Sequence, residues 1–245
     1  VRSTDGTLIA WGSNDAGELG LGHTNIVNTP QRIPQHHFQG KTIRSIHTGE
    51  AHTLVQCTDG SLFAWGRNDD GQLGLGHINN QNTPQPINMD HFHGKTIQSV
   101  HVSADYTLAL STDGLLFAWG DNRFGQLGLG HTNNQNAPQR IHQEHFQGKT
   151  IQSIHTGEAH NLVRCTDGTL FSWGRNDGAQ LGLGHYNEQL TPQPINSNHF
   201  QDKNIQSIFS GCYHTLAFCT DQSLFACGDN MHGELGLGHP RSQDI

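Results

Sequence analysis

Charge is scarce in this chain. Lys and Arg number 13 and Asp and Glu 21 among 245 residues, 14% in all, with a formal net charge of −8. So few charges exclude a disordered polyelectrolyte. A negative balance without any basic run argues against binding along a phosphate backbone, so no nucleic acid is expected as partner. Apolar residues make up only 33%, and the longest apolar run is the five residues Leu115–Trp119. A helical membrane span needs ~20 apolar residues, so no membrane span is expected. Cysteine is too sparse for a disulfide framework. Cys57, Cys165 and Cys219 fall at one phase of an internal repeat where Ser3 and Ser111 take the other turns. A position that accepts Cys or Ser wants a small side chain, not a bridge. Cys212, Cys219 and Cys227 lack the close pairs of a zinc site. Reduced thiols and a cytoplasmic location are the expectation.

What is abundant is glycine, 30 of 245 residues, or about 12% against a typical ~7%. Tight turns use glycine because it reaches positive φ without a Cβ penalty. The glycines are periodic. The segment running from Trp11 to His23 returns at Trp65, Trp119, Trp173 and Cys227, always 54 residues on. Residues 41–77 and 149–185 differ at seven of 37 positions, and no insertion breaks the spacing. A fixed period of this size signals a repeat architecture. The expected repeats are 1–40 (partial), 41–94, 95–148, 149–202 and 203–245 (partial), within one domain.

Each repeat reads as four short strands. In the second copy these are Thr42–His47, His52–Cys57, Ser61–Gly66 and Pro84–Ile87. The spacing of Ile43 and Ile46 fits period two poorly. Thr58-Asp59-Gly60 reads as a tight turn. Ser61–Gly66 is apolar on both faces, so it requires neighbours above and below. Four antiparallel strands per repeat, stacked face to face, describe an all-β fold, a β-propeller of about 4.5 blades in this chain. Phe63 and Trp65 are expected to fill the space between blades, with Trp11, Trp119 and Trp173 as their counterparts. WD repeats run ~40–45 residues and kelch repeats ~50, each with a signature not found here. The chain enters near the end of a second strand and its last blade lacks a complete fourth strand. A piece of a longer protein, or a ring with a shared terminal blade, is therefore expected.

Symmetry separates scaffold from function. His23, His77, His131, His185 and His239 close every LGLGH, and His37, His91, His145 and His199 precede Phe in every connector. Side chains present in every copy serve folding, and these imidazoles are expected to bond nearby backbone and hold loops. The same holds for His52, His160 and His214 (Tyr106 in the third copy), for Asn14, Asn68, Asn122, Asn176 and Asn230, and for the turn residues Asp5, Asp59, Asp113, Asp167 and Asp221. The LGLG pattern is no phosphate loop, since no Lys-Ser/Thr follows it. No catalytic constellation, metal site or cofactor is indicated.

The asymmetric positions lie in the connections between the first and second and between the third and fourth strands, which a meander brings to one side. Arg67, Asp70, Asp105, Tyr106, Asp121, Arg123, Phe124, Arg175, Tyr213, Met231 and His232 form there a mosaic of the kind that anchors a protein partner. Freely drifting loop residues are the competing explanation.

The segment GEAHTLVQCTDGSLFAWGRNDDGQLGLGH (Gly49–His77) resembles the repeat of the regulator of chromosome condensation family, over essentially the whole chain. The resemblance implies a propeller with blades of about fifty residues. It also implies binding of a Ras-like small GTPase, because the founding member promotes nucleotide exchange on Ran. That exchange depends on a wedge-like hairpin inserted into one blade, for which the unbroken 54-residue spacing leaves no room. A scaffold for a non-GTPase partner is the alternative. A light sensor like the plant UV-B receptor calls for Trp residues off the repeat's core site, and all four Trp here occupy that site. Nearly identical copies of a eukaryote-type repeat also fit a secreted effector acting on a host GTPase.

Overall fold

The structure, a computed structural model, describes residues 1–4, 6–201 and 203–244. Contacts divide the chain into two compact units, Val1–Asp121 with Asn134–Arg140, and Asn122–Asn133 with Ile141–Ile245. The first unit holds a two-stranded sheet (Ile9–Gly12, Val27–Arg32) and two four-stranded sheets. One is built from Ile43–Thr48, His52–Cys57, Leu62–Gly66 and Gln81–Pro86, the other from Ile97–Val102, Tyr106–Ser111, Leu116–Gly120 and Gln135–Arg140. The second unit holds Ile151–Thr156, His160–Cys165, Leu170–Gly174 and Gln189–Pro194, then the three strands Ile205–Ser210, His214–Cys219 and Leu224–Gly228. Every sheet is an antiparallel meander, the blade of a β-propeller. Among the described residues no helix is long and apolar enough to cross a membrane.

Two strand assignments from sequence shift. The first strand carries a bulge between Ile43 and Ser45, so that Ile43 faces Cys57 and Ile46 faces Val55. One extra residue, the exposed Arg44, puts side chains three apart on one face, which a regular period of two cannot do. The fourth strand begins earlier than its prolines. Gln81 pairs with Gly66, and after a register shift Gln85 and Pro86 pair with Ala64 and Phe63. Both ends of the chain follow the same rules: Arg2 bridges Leu8, and Gln243 bridges Gly228 as Gln81 does Gly66.

Four 3-10 turns precede the first strands, at Gln35–Phe38, Met89–Phe92, Gln143–Phe146 and Ser197–Phe200. Their phenylalanines explain them. Phe92 lies edge-on to Phe117 at 5.2 Å and to Trp119 at 6.0 Å. Phe38 sits likewise against Phe63 and Trp65, and Phe146 against Phe171 and Trp173. Between the second and third sheets, Leu54, Leu62, Ala64 and Leu73 pack on Ile97, Val100, Ala109, Phe117 and Trp119. Gly74 is required here, because a Cβ on it would lie 2.8 Å from Trp119 Nε1.

The last copy has Cys227 in place of Trp. Its thiol reaches the Gln180 carbonyl at 3.7 Å, and an apolar cavity of about 20 Å³ lined by Leu162, Leu181, Ile195, Phe200 and Phe225 lies beside it. Cys57, Cys165, Cys219 and Ser111 are all buried, and all five cysteines are free.

The loops after the third strands are held by their asparagines. Asn68 is buried; its Nδ2 donates to the carbonyls of His77 (2.8 Å) and Asn79 (3.1 Å), and its Oδ1 accepts from Leu73 N–H at 3.0 Å. Asn79 N–H donates to His77 Nδ1 at 3.2 Å. A backbone amide can only donate, so that nitrogen carries no proton. The same geometry recurs at Asn14, Asn122 and Asn176. Asp59, Asp167 and Asp221 accept from the backbone two residues on and pair with Lys41, Lys149 and Lys203; Asp113 pairs with Lys95. Asp5 lies outside the described residues.

One turn breaks its own rule. Gly17, Gly71, Gly125 and Gly233 share a left-handed φ, and the fourth copy places Ala179 there at φ 65°. Ala179→Gly should stabilise the chain by about 0.5–1 kcal/mol in urea unfolding, since alanine is strained in that region. Gly71→Ala should destabilise it by more, because its Cβ would lie 2.5 Å from Asn136 Cα.

Candidate protein-interaction site

In each blade the two connections that carry the asymmetric residues meet. Arg67 N–H donates to the Ala51 carbonyl at 2.8 Å, Asp121 N–H to Asp105, Arg175 N–H to Ala159 and Asp229 N–H to Tyr213, each at 2.9 Å. The tips therefore share one end of each sheet.

In the first unit the tips are acidic and tied to one another. Arg67 Nε donates to Asp69 at 3.1 Å, and its Nη1 lies 3.7 Å from Asp105. Asp105 also accepts from Gln72 Nε2 at 3.0 Å, and Asp70 accepts from Asn134 Nδ2 at 2.9 Å. Burial pushes the Asp105 carboxyl above the usual carboxylate range, while the Arg67 guanidinium pulls it back.

In the second unit the arginine at the same repeat position has different neighbours. Arg175 makes two parallel bonds to Asp177, Nε to Oδ1 and Nη2 to Oδ2, both at 2.7 Å. Its guanidinium carbon lies 5.0 Å from the centre of Phe124 and 5.1 Å from that of Tyr213. Such cation–π pairs add ~0.5–1 kcal/mol each at exposed sites. A hydrogen bond to Glu158 and desolvation push the Tyr213 phenol upward, because the Glu158 carboxylate favours the protonated hydroxyl. Met231 stands beside this stack, 70% exposed, and His232 is exposed as well. Arg175 thus serves as the rivet of an aromatic platform, its charge answered by Asp177.

Three residues read from the sequence sit elsewhere than expected. Tyr106 is fully buried and Asp121 is 4% exposed, so neither presents itself to a partner. Tyr106 occupies the slot of His52 and His160, hydrogen-bonded to Ser103, which replaces the Gly49 and Gly157 of those copies. Trp11 is 47% exposed, whereas Trp65, Trp119 and Trp173 are buried and each gives its indole N–H to the main-chain carbonyl 47 residues before it. Arg123 is exposed and Phe124 half-buried. Glu158 varies between copies in the sequence, but nothing there ties it to Tyr213 or marks Asp177. Asp177 has the symmetric twin Asp69, so the repeat pattern hides that it clamps an aromatic-flanked arginine. Among the described residues no group of three His, Cys, Asp or Glu could hold a metal ion.

The meander blades joined by tryptophan define a repeat-built β-propeller. The RCC1-like domain family matches residues 1–245, and the chain belongs to that family. It is 34% identical over 238 residues to the ultraviolet-B receptor UVR8 of Arabidopsis thaliana, spanning 96% of this chain and 52% of the receptor. It is 33% identical to the human E3 ubiquitin-protein ligase HERC2 over 96% of this chain, but only 5% of the ligase. Among solved structures, human WBSCR16 superposes with a TM-score of 0.79 at 25% identity, over 97% of this chain and 61% of that one. Prp20p of Saccharomyces cerevisiae follows with a TM-score of 0.75 at 25% identity, over 93% of this chain and 54% of that one. The chain thus spans about half the length of the UV-B receptor and a twentieth of HERC2.

Proposed function

We propose that this chain is a protein-interaction propeller that engages a Ras-like small GTPase through its loop tips. The observation that carries this reading is the half-buried stack of Phe124 and Arg175 under the exposed Tyr213, with the exposed Met231 beside it. Aromatic residues and Arg dominate the energetic centres of protein interfaces. Support for the partner class comes from Prp20p, solved in a study of its binding to Gsp1p and histones. Catalysed exchange has less support, because the unbroken 54-residue spacing leaves no wedge within residues 1–245. A second reading, a scaffold for a non-GTPase partner, is favoured by HERC2, a ligase in which the matched segment is 5% of the chain. Light sensing finds no support in the tryptophans, three of which are buried against phenylalanines at one repeat position.

A pull-down against a small-GTPase panel in nucleotide-free, GDP and GTP states tests the reading. Preference for the nucleotide-free form supports exchange, and preference for GTP an effector or scavenger role. Binding should weaken by about tenfold or more, ~1.4 kcal/mol, in Tyr213→Ala and Arg175→Ala. It should persist in Arg140→Ala, which lies on a fourth strand. Binding to no member removes the GTPase and leaves the scaffold.

A further inference from the structure

The loop tips of the second and third sheets are laced together, and those of the fourth and fifth are not. Across the first of these joints Gln72 Nε2 donates to Asp105 at 3.0 Å, and Asn134 Nδ2 donates to Asp70 at 2.9 Å. Two repeats on, the same four positions hold Gln180, Tyr213, Ser242 and Gly178. Tyrosine in place of Asp105 removes the acceptor, and the Gln180 side chain bonds Asp177 of its own loop instead. Serine and glycine have neither the amide nor the carboxylate that would close the gap. A cavity of about 450 Å³ is left between Arg175, Asp177 and Gly178 of the fourth sheet's loop and Tyr213, Asp229 and Ser242 of the fifth, with Met231 beside them. A Cβ on Gly178 would stand 3.3 Å from Asp229 N, so any side chain there would enter the gap.

The charges around the cavity do not balance. Arg175 is held by Asp177 through two parallel bonds, and Glu158 takes the Tyr213 hydroxyl. Asp229, half-buried, accepts from Met231 N–H at 3.1 Å and from the Ser242 hydroxyl at 3.4 Å, both on Oδ1. It has no ion pair among the described residues. An anion entering here would meet the carboxylates of Asp177 and Asp229. A cation would find the unanswered charge of Asp229 next to the ring of Tyr213, two attractions of the same sign. Met231 and Tyr213 add apolar surface of the kind that the stems of Lys and Arg cover while their heads stay polar.

We propose that this cavity takes a basic side chain of the protein partner, arginine or lysine, with its charge set against Asp229 and its stem along Met231 and Tyr213. The proposal rests on the reading of the loop tips as the face that meets a protein, and it gives the chemistry of the anchor. The guest fills the place that Asp70 and Asn134 close by themselves in the joint of the second and third sheets.

The chain has two methionines, Met231 at the cavity and Met89 packed on the core between the second and third sheets. Carbon-13 labelling of their methyl groups therefore gives one reporter and one reference in an NMR titration. Nα-acetyl-arginine amide and Nα-acetyl-lysine amide are the probes. At least one should move the Met231 signal saturably, with a Kd on the order of 1–10 mM as befits a single side chain, and leave Met89 in place. Nα-acetyl-citrulline amide, which has the shape of arginine without its charge, should bind about tenfold more weakly. Asp229→Asn, which keeps the acceptor for Met231 N–H, should weaken the basic probe by about tenfold, and Gly178→Leu should abolish its effect by filling the gap. A Met231 signal that ignores both basic probes overturns the proposal. So does one that answers citrulline as strongly, or one that Asp229→Asn leaves unchanged. Should Gly178→Leu fail to fold, Asp229→Asn decides alone. The probes need no partner, so the two readings fail separately. Probes that bind while no GTPase does keep the basic-anchor site, and a GTPase that binds while the probes do not removes it.

Discussion

Replacing Trp65 by alanine should cost about 3–5 kcal/mol of folding stability in urea unfolding, the range of large aromatic truncations in a core. Trp65 is buried, holds Phe38 edge-on at 6.1 Å and gives its indole N–H to the Glu18 carbonyl. Alanine leaves a cavity on the line where two sheets meet, and part of the acceptor's bonding is lost with it. The surroundings cannot collapse into that space, because Gly20 offers no side chain. The same substitution at Trp11, half-exposed and with no indole acceptor among the described residues, should cost below about 1 kcal/mol, as surface changes do. A loss below 1 kcal/mol at Trp65 would mean that the indole does not join the blades.

Acid should destabilise this protein well above the carboxylate range. His52 and His160 are buried, and burial pushes their imidazoles from 6.5 down to about 4 and about 3. The unfolded chain takes up a proton at each as the pH falls through 6.5, and the folded chain does not. Stability is thus fully present above pH 6.5 and is lost as the pH falls to about 4 for His52 and about 3 for His160. One pKa unit is worth ~1.4 kcal/mol, so His52 alone removes about 3 kcal/mol by pH 4. His47 and His155, lowered by burial, add with the same sign. Urea midpoints should hold between pH 7.5 and about 6.5 and fall from there to pH 4.5. A chain with His52→Gln and His160→Gln should show a flatter profile even if it is less stable at neutral pH. A flat wild-type profile would mean that these imidazoles protonate freely in the fold.

The first-strand bulge shows where reading along the chain stops. Ile43 and Ile46 look mispaired until a partner strand shows that Arg44 is extruded. Tyr106 misled for a related reason: it is the odd copy at a histidine position, yet it fills the same buried slot, and only the neighbouring Ser103 hints that the slot was remodelled. The asparagine and histidine loop clamps were legible, because a side chain that returns in every copy answers a need that every copy has. The aromatic platform was legible as a set of unequal residues but not as a stack, since Phe124, Arg175 and Tyr213 come from three different repeats.

By itself the sequence determined the period, the strand count per repeat, the tight turns and the family of the fold, because these depend on local backbone preference and on side chains recurring at one interval. Only the tertiary structure decided which variable residues are buried, which arginine is sandwiched and which tryptophan is half-exposed. Those outcomes depend on pairs some 50 residues apart, and a side chain's exposure is set by the neighbour that covers it.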